Sequence, residues 1–262
     1  MQIANIYPIV NQEMYRDEKY VMILAHLLKK GLYDPKNFSQ DQYIIMDNGL
    51  FEGEQVSTDL EDLVQLAENS GIPIKEIIVP DAVNDCEKTR ELFRRNFKTI
   101  VKYSKKYTFM FVAQALTYSE LRQNILYINQ YAMAELNLSV GISKLTPLDR
   151  ADPQACSAYK HCKFPIHILG IKSSFEELNQ LARIEQIRGC DTSQLAYIAK
   201  NEGRVPLLLW EYSREARKTY FAERGEERHI GDIQLETDCC DPELLQELKE
   251  TLIWEVDVRG LL

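Results

Sequence analysis

The chain has 262 residues, 45% of them apolar and 27% charged, with a net charge of −9. That length allows one large domain or two small ones, and the apolar share allows a full core, which excludes a disordered chain. The acidic balance argues against indiscriminate nucleic-acid binding, and no apolar run approaches the ~20 residues of a membrane span.

Short apolar runs alternate with longer amphipathic segments. The first clear run is YVMIL (20–24), with IANIYPIV near the amino end as the alternative first strand. YIIM (43–46) follows and ends on Asp47-Asn48-Gly49. Ser57 or Thr58 then opens an acid-rich helix over 58–69, with Gly71-Ile72-Pro73 as its exit. EIIVP (76–80) ends on Asp81 and leads to a helix over 87–104. TFMFVAQ (108–114) ends on Gln114, and Thr117 caps a helix over 118–135. LSVGI (138–142) carries Gly141, and IHILGI (166–171) carries Gly170. Ser173-Ser174 opens a helix over 174–187 that Gly189 closes. A less distinct run around Cys190 to Leu195 carries Asp191. LLLW (207–210) is a candidate eighth strand, followed by a helix over 212–224.

Spacings near 30 residues suit βα units, and strands apolar on both faces suit a parallel sheet covered by helices. Seven or eight such units predict a (β/α)8 barrel as one domain over 1–262. Its core spans about 1–211, and the remainder, about 212–262, is a small carboxy-terminal extension. No GxGxxG follows a strand and no GxxxxGK[ST] occurs, so neither a dinucleotide site nor a phosphate loop is expected.

In such a barrel the chemistry gathers where the strands end. Asp47, Asp81, Gln114, Gly141, Gly170 and Asp191 are the residues found there. Taken singly, the aspartates and glycines are ordinary turn residues, and Asp-Asn-Gly is a turn signal by itself. Together they form a kit. Clustered carboxylates divide into an ionised nucleophile and a proton carrier. Gln114 offers a donor and an acceptor to a planar heterocycle, and the glycines let backbone N–H groups approach a ligand. Paired carboxylates commonly cleave glycosidic bonds.

The four histidines, at 26, 161, 167 and 229, share no metal spacing. His161 with Cys156 and Cys162 falls short of a four-ligand zinc set, so no metal is expected. Six cysteines with no CxxC pair and no signal peptide ahead of them point to a reducing cytoplasm. Cys239-Cys240 reads as structural.

Residues 88–106 carry eight Lys or Arg and one acid, whereas 236–258 carry eight acids and one Lys. The default reading of the basic helix is a solvated face. Its single sign also suits a grip on phosphates through Arg94, Arg95, Lys98, Lys102 and Lys105. Lys29, Lys30, Arg204, Arg214, Arg217 and Lys218 could extend it.

The order DNG, VPD, AQ, VGI, LGI and CD, over residues 40 to 195, resembles the guanine transglycosylase superfamily. Within it the chain looks like the short phage and bacterial relatives that act on DNA. The resemblance implies a (β/α)8 barrel that exchanges guanine for a 7-deazaguanine derivative, of the preQ0 or preQ1 type, through a covalent aspartyl–nucleic acid intermediate. That base is a co-substrate, and no further cofactor is implied. Asp191 would be the nucleophile and Asp47 the proton carrier. Asp81 would read the purine edge and Gln114 contact the base. Gly141 would line the pocket by its backbone, with Asn48 and Gly170 among the substrate-binding residues.

The departures from the tRNA enzymes are specific. Their CxCxxC…H zinc site is absent, Asp47 is followed by Asn-Gly where they have Ser-Gly-Gly, and Thr192-Ser193-Gln194 replaces the basic residues after their nucleophile. The chain is also much shorter. DNA is therefore the expected partner, with the target nucleotide flipped out or unpaired. The net negative charge leaves room for a homodimer or a partner protein to supply part of the grip. A tRNA-guanine transglycosylase, a glycosyl hydrolase or transferase acting on a small nucleoside, and a non-catalytic nucleic-acid-binding barrel are the alternatives.

Overall fold

A computed structural model describes residues 1–49, 56–171, 175–193, 196 and 235–258. Eight parallel strands close into a barrel: β1 (Gln2–Asn5), β2 (Tyr20–Leu24), β3 (Tyr43–Asp47), β4 (Ile74–Ile78), β5 (Thr108–Val112), β6 (Leu138–Ser143), β7 (Ile166–Leu169) and β8 (Ile187–Thr192). The (β/α)8 barrel expected from the alternating runs is the fold. Closure comes from β1, which pairs with β8 over four residues from Gln2↔Gly189 to Asn5↔Thr192. The amino-terminal stretch is therefore the first strand and YVMIL the second. LLLW lies outside the described residues.

Helices α1 (Ala25–Lys29), α2 (Leu60–Asn69), α3 (Cys86–Arg95), α4 (Phe97–Tyr103), α5 (Tyr118–Asn129), α6 (Pro153–Lys160) and α7 (Phe175–Leu181) surround the barrel. Several boundaries differ from expectation for identifiable reasons. The predicted helix 87–104 breaks at Asn96, whose buried side chain accepts the Leu60 N–H at 2.9 Å and donates to the Thr58 carbonyl at 3.2 Å. A side-chain amide that serves another helix's start competes with its own helix. Asp59 caps α2, accepting the Glu61 N–H at 2.9 Å, in place of Ser57 or Thr58. Thr117 caps α5 as expected. Gly71, at φ +71°, makes the exit from α2. Gly189 is not an exit but lies inside β8, because α7 already ends at Leu181. The expected helix 212–224 falls outside the described residues.

Strand alternation divides the core in two. Val21, Ile23, Ile44, Met46, Ile77, Phe109, Phe111 and Val140 face the helices. Ala4, Ile6, Tyr20, Met22, Ile45, Ile78, Met110 and Val112 fill the barrel interior. The carboxy-terminal helix Pro242–Val258 is fastened to this body. Asn11 exchanges two hydrogen bonds with the Cys240 backbone, at 2.8 and 2.9 Å, and Lys249 pairs with the buried Glu18 at 3.2 Å. No helix among the described residues is long and apolar enough to cross a membrane.

Candidate active site

A cavity of about 190 Å³ opens at the carboxyl ends of the strands. Asp47, Asn48, Asp81, Gln114, Gly170 and Asp191 all line it. Six residues drawn from up to 144 positions apart in sequence thus meet because parallel strands deliver their ends to one face. That volume lies below the range typical of drug-sized ligands.

Each wall has a local cause. β3 ends on Asp47, whose Oδ1 accepts the Gly49 N–H at 3.0 Å, and Gly49 sits at φ +80°. The Asp-Asn-Gly turn and the cavity wall are therefore one structure. It directs Asn48 inward, where Nδ2 donates to Asp81 Oδ1 at 2.9 Å and to the Val79 carbonyl at 3.3 Å. From the next strand but one, Gln114 Nε2 donates to Asp81 Oδ2 at 2.7 Å. Gln114 Oε1 accepts the Asn84 N–H, and Asn124 of α5 donates to the Gln114 carbonyl at 2.7 Å. Each oxygen of Asp81 is thus held by a side-chain amide, and each amide is oriented by the backbone. Burial pushes the Asp81 carboxyl above the ordinary aspartate range, against the lowering effect of the two amides.

Asp191, on β8, faces a different set of donors. Its Oδ1 accepts the Gly170 N–H at 2.9 Å and lies 3.0 Å from His167 Nε2. Gly170 adopts φ +65°, a region open to glycine at no steric cost. A Cβ there would run into the aliphatic stem of Lys144, which also lines the cavity. Beneath, the fully buried Arg150 pairs with Glu177 at 2.7 Å and donates to the Leu169 carbonyl at 2.9 Å, fixing the strand end before Gly170.

No protein-family model matches the chain, and no curated protein matches it. Among solved structures, the carboxyl transferase domain of Rhizobium etli pyruvate carboxylase is 12% identical, with a TM-score of 0.50, and is matched over 100% of this chain and 48% of that one. The chain thus spans about half of that structure's length. The tryptophan synthase alpha chain of Legionella pneumophila gives a TM-score of 0.46 at 12% identity, over 97% of this chain and 91% of that one. Likeness at this identity reports the barrel alone.

Two groups of expected residues are placed elsewhere. Gly141 does not line the cavity. It sits in β6 with Leu169 and Met110 closing over it, so that a Cβ would meet each at 2.8 Å. Its part is to clear space inside the barrel. Arg94, Arg95, Lys98, Lys102 and Lys105 are exposed along the end of α3, α4 and the turn beyond. That segment runs down from the mouth, and Lys105 lies three residues before β5 begins, at the opposite end from the cavity. Lys102 pairs with Glu61 at 2.8 Å, and the neighbouring Lys106 with Glu68 at 2.7 Å. Of the residues thought to extend this face, Lys30 pairs with Glu236, and positions 204, 214, 217 and 218 lie outside the described residues.

Sequence reasoning passed over Lys144, Ser143, Thr192 and Ser193 in the lining, Leu235 returning from the carboxy-terminal segment, and His167 behind Asp191. His167 carried a signal. In IHILG it alternates with Leu169 and so shares that residue's inward face. Among the described residues, no group of three or more His, Cys, Asp or Glu could hold a metal ion.

Proposed function

We propose that the protein exchanges guanine in DNA for a 7-deazaguanine base, with Asp191 as nucleophile. The observation that carries this reading is the division of labour between two buried carboxyls across one small cavity. Asp81 is held at both oxygens by amides, whereas among the described residues Asp191 is held at Oδ1 alone.

Guanine presents two adjacent N–H donors on its pairing edge. A carboxyl with both oxygens fixed in one plane, and lone pairs remaining on each, matches that edge. Asn48 and Gln114 hold Asp81 in that plane. The free oxygen of Asp191 would attack C1′ of the sugar as the bond from C1′ to guanine N9 breaks. Asp47, or a water that it holds, passes the proton that the departing guanine takes up. It recovers one from the incoming deazapurine, whose N9 attacks C1′ and releases Asp191. Protons and charge balance over the cycle, and the two steps together make an ordinary double displacement.

A covalent adduct is the direct test. Protein incubated with guanine-containing single-stranded DNA should give a band on denaturing gels that resists boiling and disappears in Asp191→Ala. Tritiated 7-deazaguanine should enter DNA at the same time. Label in tRNA but not DNA would overturn the choice of substrate, and label in neither would overturn base exchange.

A second reading draws on the basic face, which lies away from the cavity, and on Lys144 as the lining cation among the described residues. This charge arrangement favours a small nucleoside over a polymer. Release of free base from guanosine or deoxyguanosine, with no label entering DNA, would select it.

A further inference from the structure

We propose that His167, braced by Tyr20, is a positioning residue that ties Oδ1 of Asp191 and leaves Oδ2 as the attacking oxygen. This rests on the reading of Asp191 as nucleophile and adds the device that orients it.

Four observations converge. First, among the described residues, both hydrogen bonds to the Asp191 side chain fall on Oδ1, from Gly170 N–H at 2.9 Å and His167 Nε2 at 3.0 Å. An oxygen with two donors has its lone pairs engaged, so nucleophilic density is directed to the other. Second, His167 is itself held. Its Nδ1 lies 2.8 Å from the Tyr20 hydroxyl, and the two rings lie 5.6 Å apart. Third, the barrel is cut to fit Tyr20. The residue in register with His167 on β8 is a glycine, Gly189. A Cβ at Gly189 would lie 2.8 Å from Tyr20 Cε1 and 2.9 Å from the Gln2 carbonyl, so any other residue there would displace the tyrosine or the backbone. Fourth, His167 is fully buried, and its two ring nitrogens are met by Tyr20 and Asp191.

The direction of donation follows from the carboxylate. Asp191, ionised as a nucleophile must be, can only accept, so His167 Nε2 at 3.0 Å donates to it. A neutral ring then accepts at Nδ1, and the Tyr20 hydroxyl, which burial keeps protonated, is the donor there. A ring that accepts at Nδ1 carries its own proton on Nε2, and that proton points at Asp191. Among the described residues, the titratable groups bonded to this ring are Tyr20 from β2 and Asp191 from β8. The Glu76–Arg188 pair stands behind Tyr20, beside Tyr43, which stacks on it at 5.6 Å. A neutral donor suits a nucleophile better than a cation does. It orients the carboxylate without binding it as an ion pair that attack would have to break.

The test joins a spectroscopic arm to a kinetic one. In protein labelled with ¹⁵N-histidine, one imidazole, identified by its loss in His167→Gln, should carry its proton on Nε2 and change signature in Tyr20→Phe. In single-turnover adduct formation on DNA, His167→Phe should be slower by about 100-fold, the scale of a misplaced reacting group, with binding of 7-deazaguanine preserved. His167→Gln, which keeps an N–H near Asp191, should recover much of that loss. A proton found on Nδ1, or a His167→Phe variant with the wild-type adduct rate, overturns the proposal and leaves Asp191 as nucleophile untouched. Wild-type protein that forms no adduct overturns the nucleophile reading and this inference with it.

Discussion

Replacing Arg188 with Met would break the ion pair at the floor of the barrel, and its cost can be worked from the surroundings. Glu76 is fully buried there. It is held by the Arg188 guanidinium, by the Ser139 hydroxyl and by the Tyr43 hydroxyl at 2.8 Å. Without the guanidinium, the carboxylate keeps two neutral donors and no opposite charge. Removing one partner of such a pair costs about 3–5 kcal/mol, because the other charge stays buried and uncompensated. Out of a total stability of about 5–15 kcal/mol, this would lower the melting temperature on the order of 10 °C. Glu76→Gln added to the same chain removes the stranded charge and keeps the side-chain shape. The double variant should therefore be more stable than Arg188→Met alone. Urea unfolding followed by circular dichroism, with all four corners of the cycle at equal m-value, measures the coupling. A single variant that loses less than about 1 kcal/mol, or a double variant no better than the single, would refute the assignment of a buried, mutually dependent pair.

Three further outcomes are expected. Gly170→Ala should cost about 1–2 kcal/mol for holding an L-residue at φ +65°, and should also weaken deazapurine binding by pushing Lys144 aside; unchanged melting and binding would count against the geometry at that turn. Asp81 has a raised carboxyl pKa in the folded state, so its contribution to stability is full below the ordinary value of 3.8 and fades as pH climbs through the raised value. The stability of Asp81→Asn relative to the parent should therefore improve across that window, and a difference that stays flat with pH would show that burial does not perturb this group. Among the thiols, exposed Cys239 should react first with a disulfide reagent. Cys162, pushed up to about 11 by burial, should react together with Cys190 and Cys240 only on unfolding. Rapid labelling of all six in native buffer would contradict the burial described here.

The barrel was legible because a parallel strand covered on both faces writes a continuous apolar run, and six of the eight strands, β2 to β7, overlap such runs. The closing strand was harder to read. QIAN carries one isoleucine and one alanine, and its identity as β1 rests on pairing with β8 from the far end of the chain. The split between α3 and α4 was also hidden, since it depends on Asn96 reaching a different helix.

Sequence by itself determined which residues stand at the strand ends, and six of the seven expected around the cavity line it. It could do so because strand direction alone decides that carboxyl ends share a face. Only the tertiary structure decided what those residues do to one another. Among the described residues, the same chemical group became a carboxyl clamped at both oxygens at Asp81 and one clamped at a single oxygen at Asp191, because their donors arrive from other strands. It also turned Gly141 from an expected pocket wall into the gap that Leu169 and Met110 close over, and carried the basic helix face away from the mouth. Distances across a barrel are set by register and shear, which spacing along one chain does not contain.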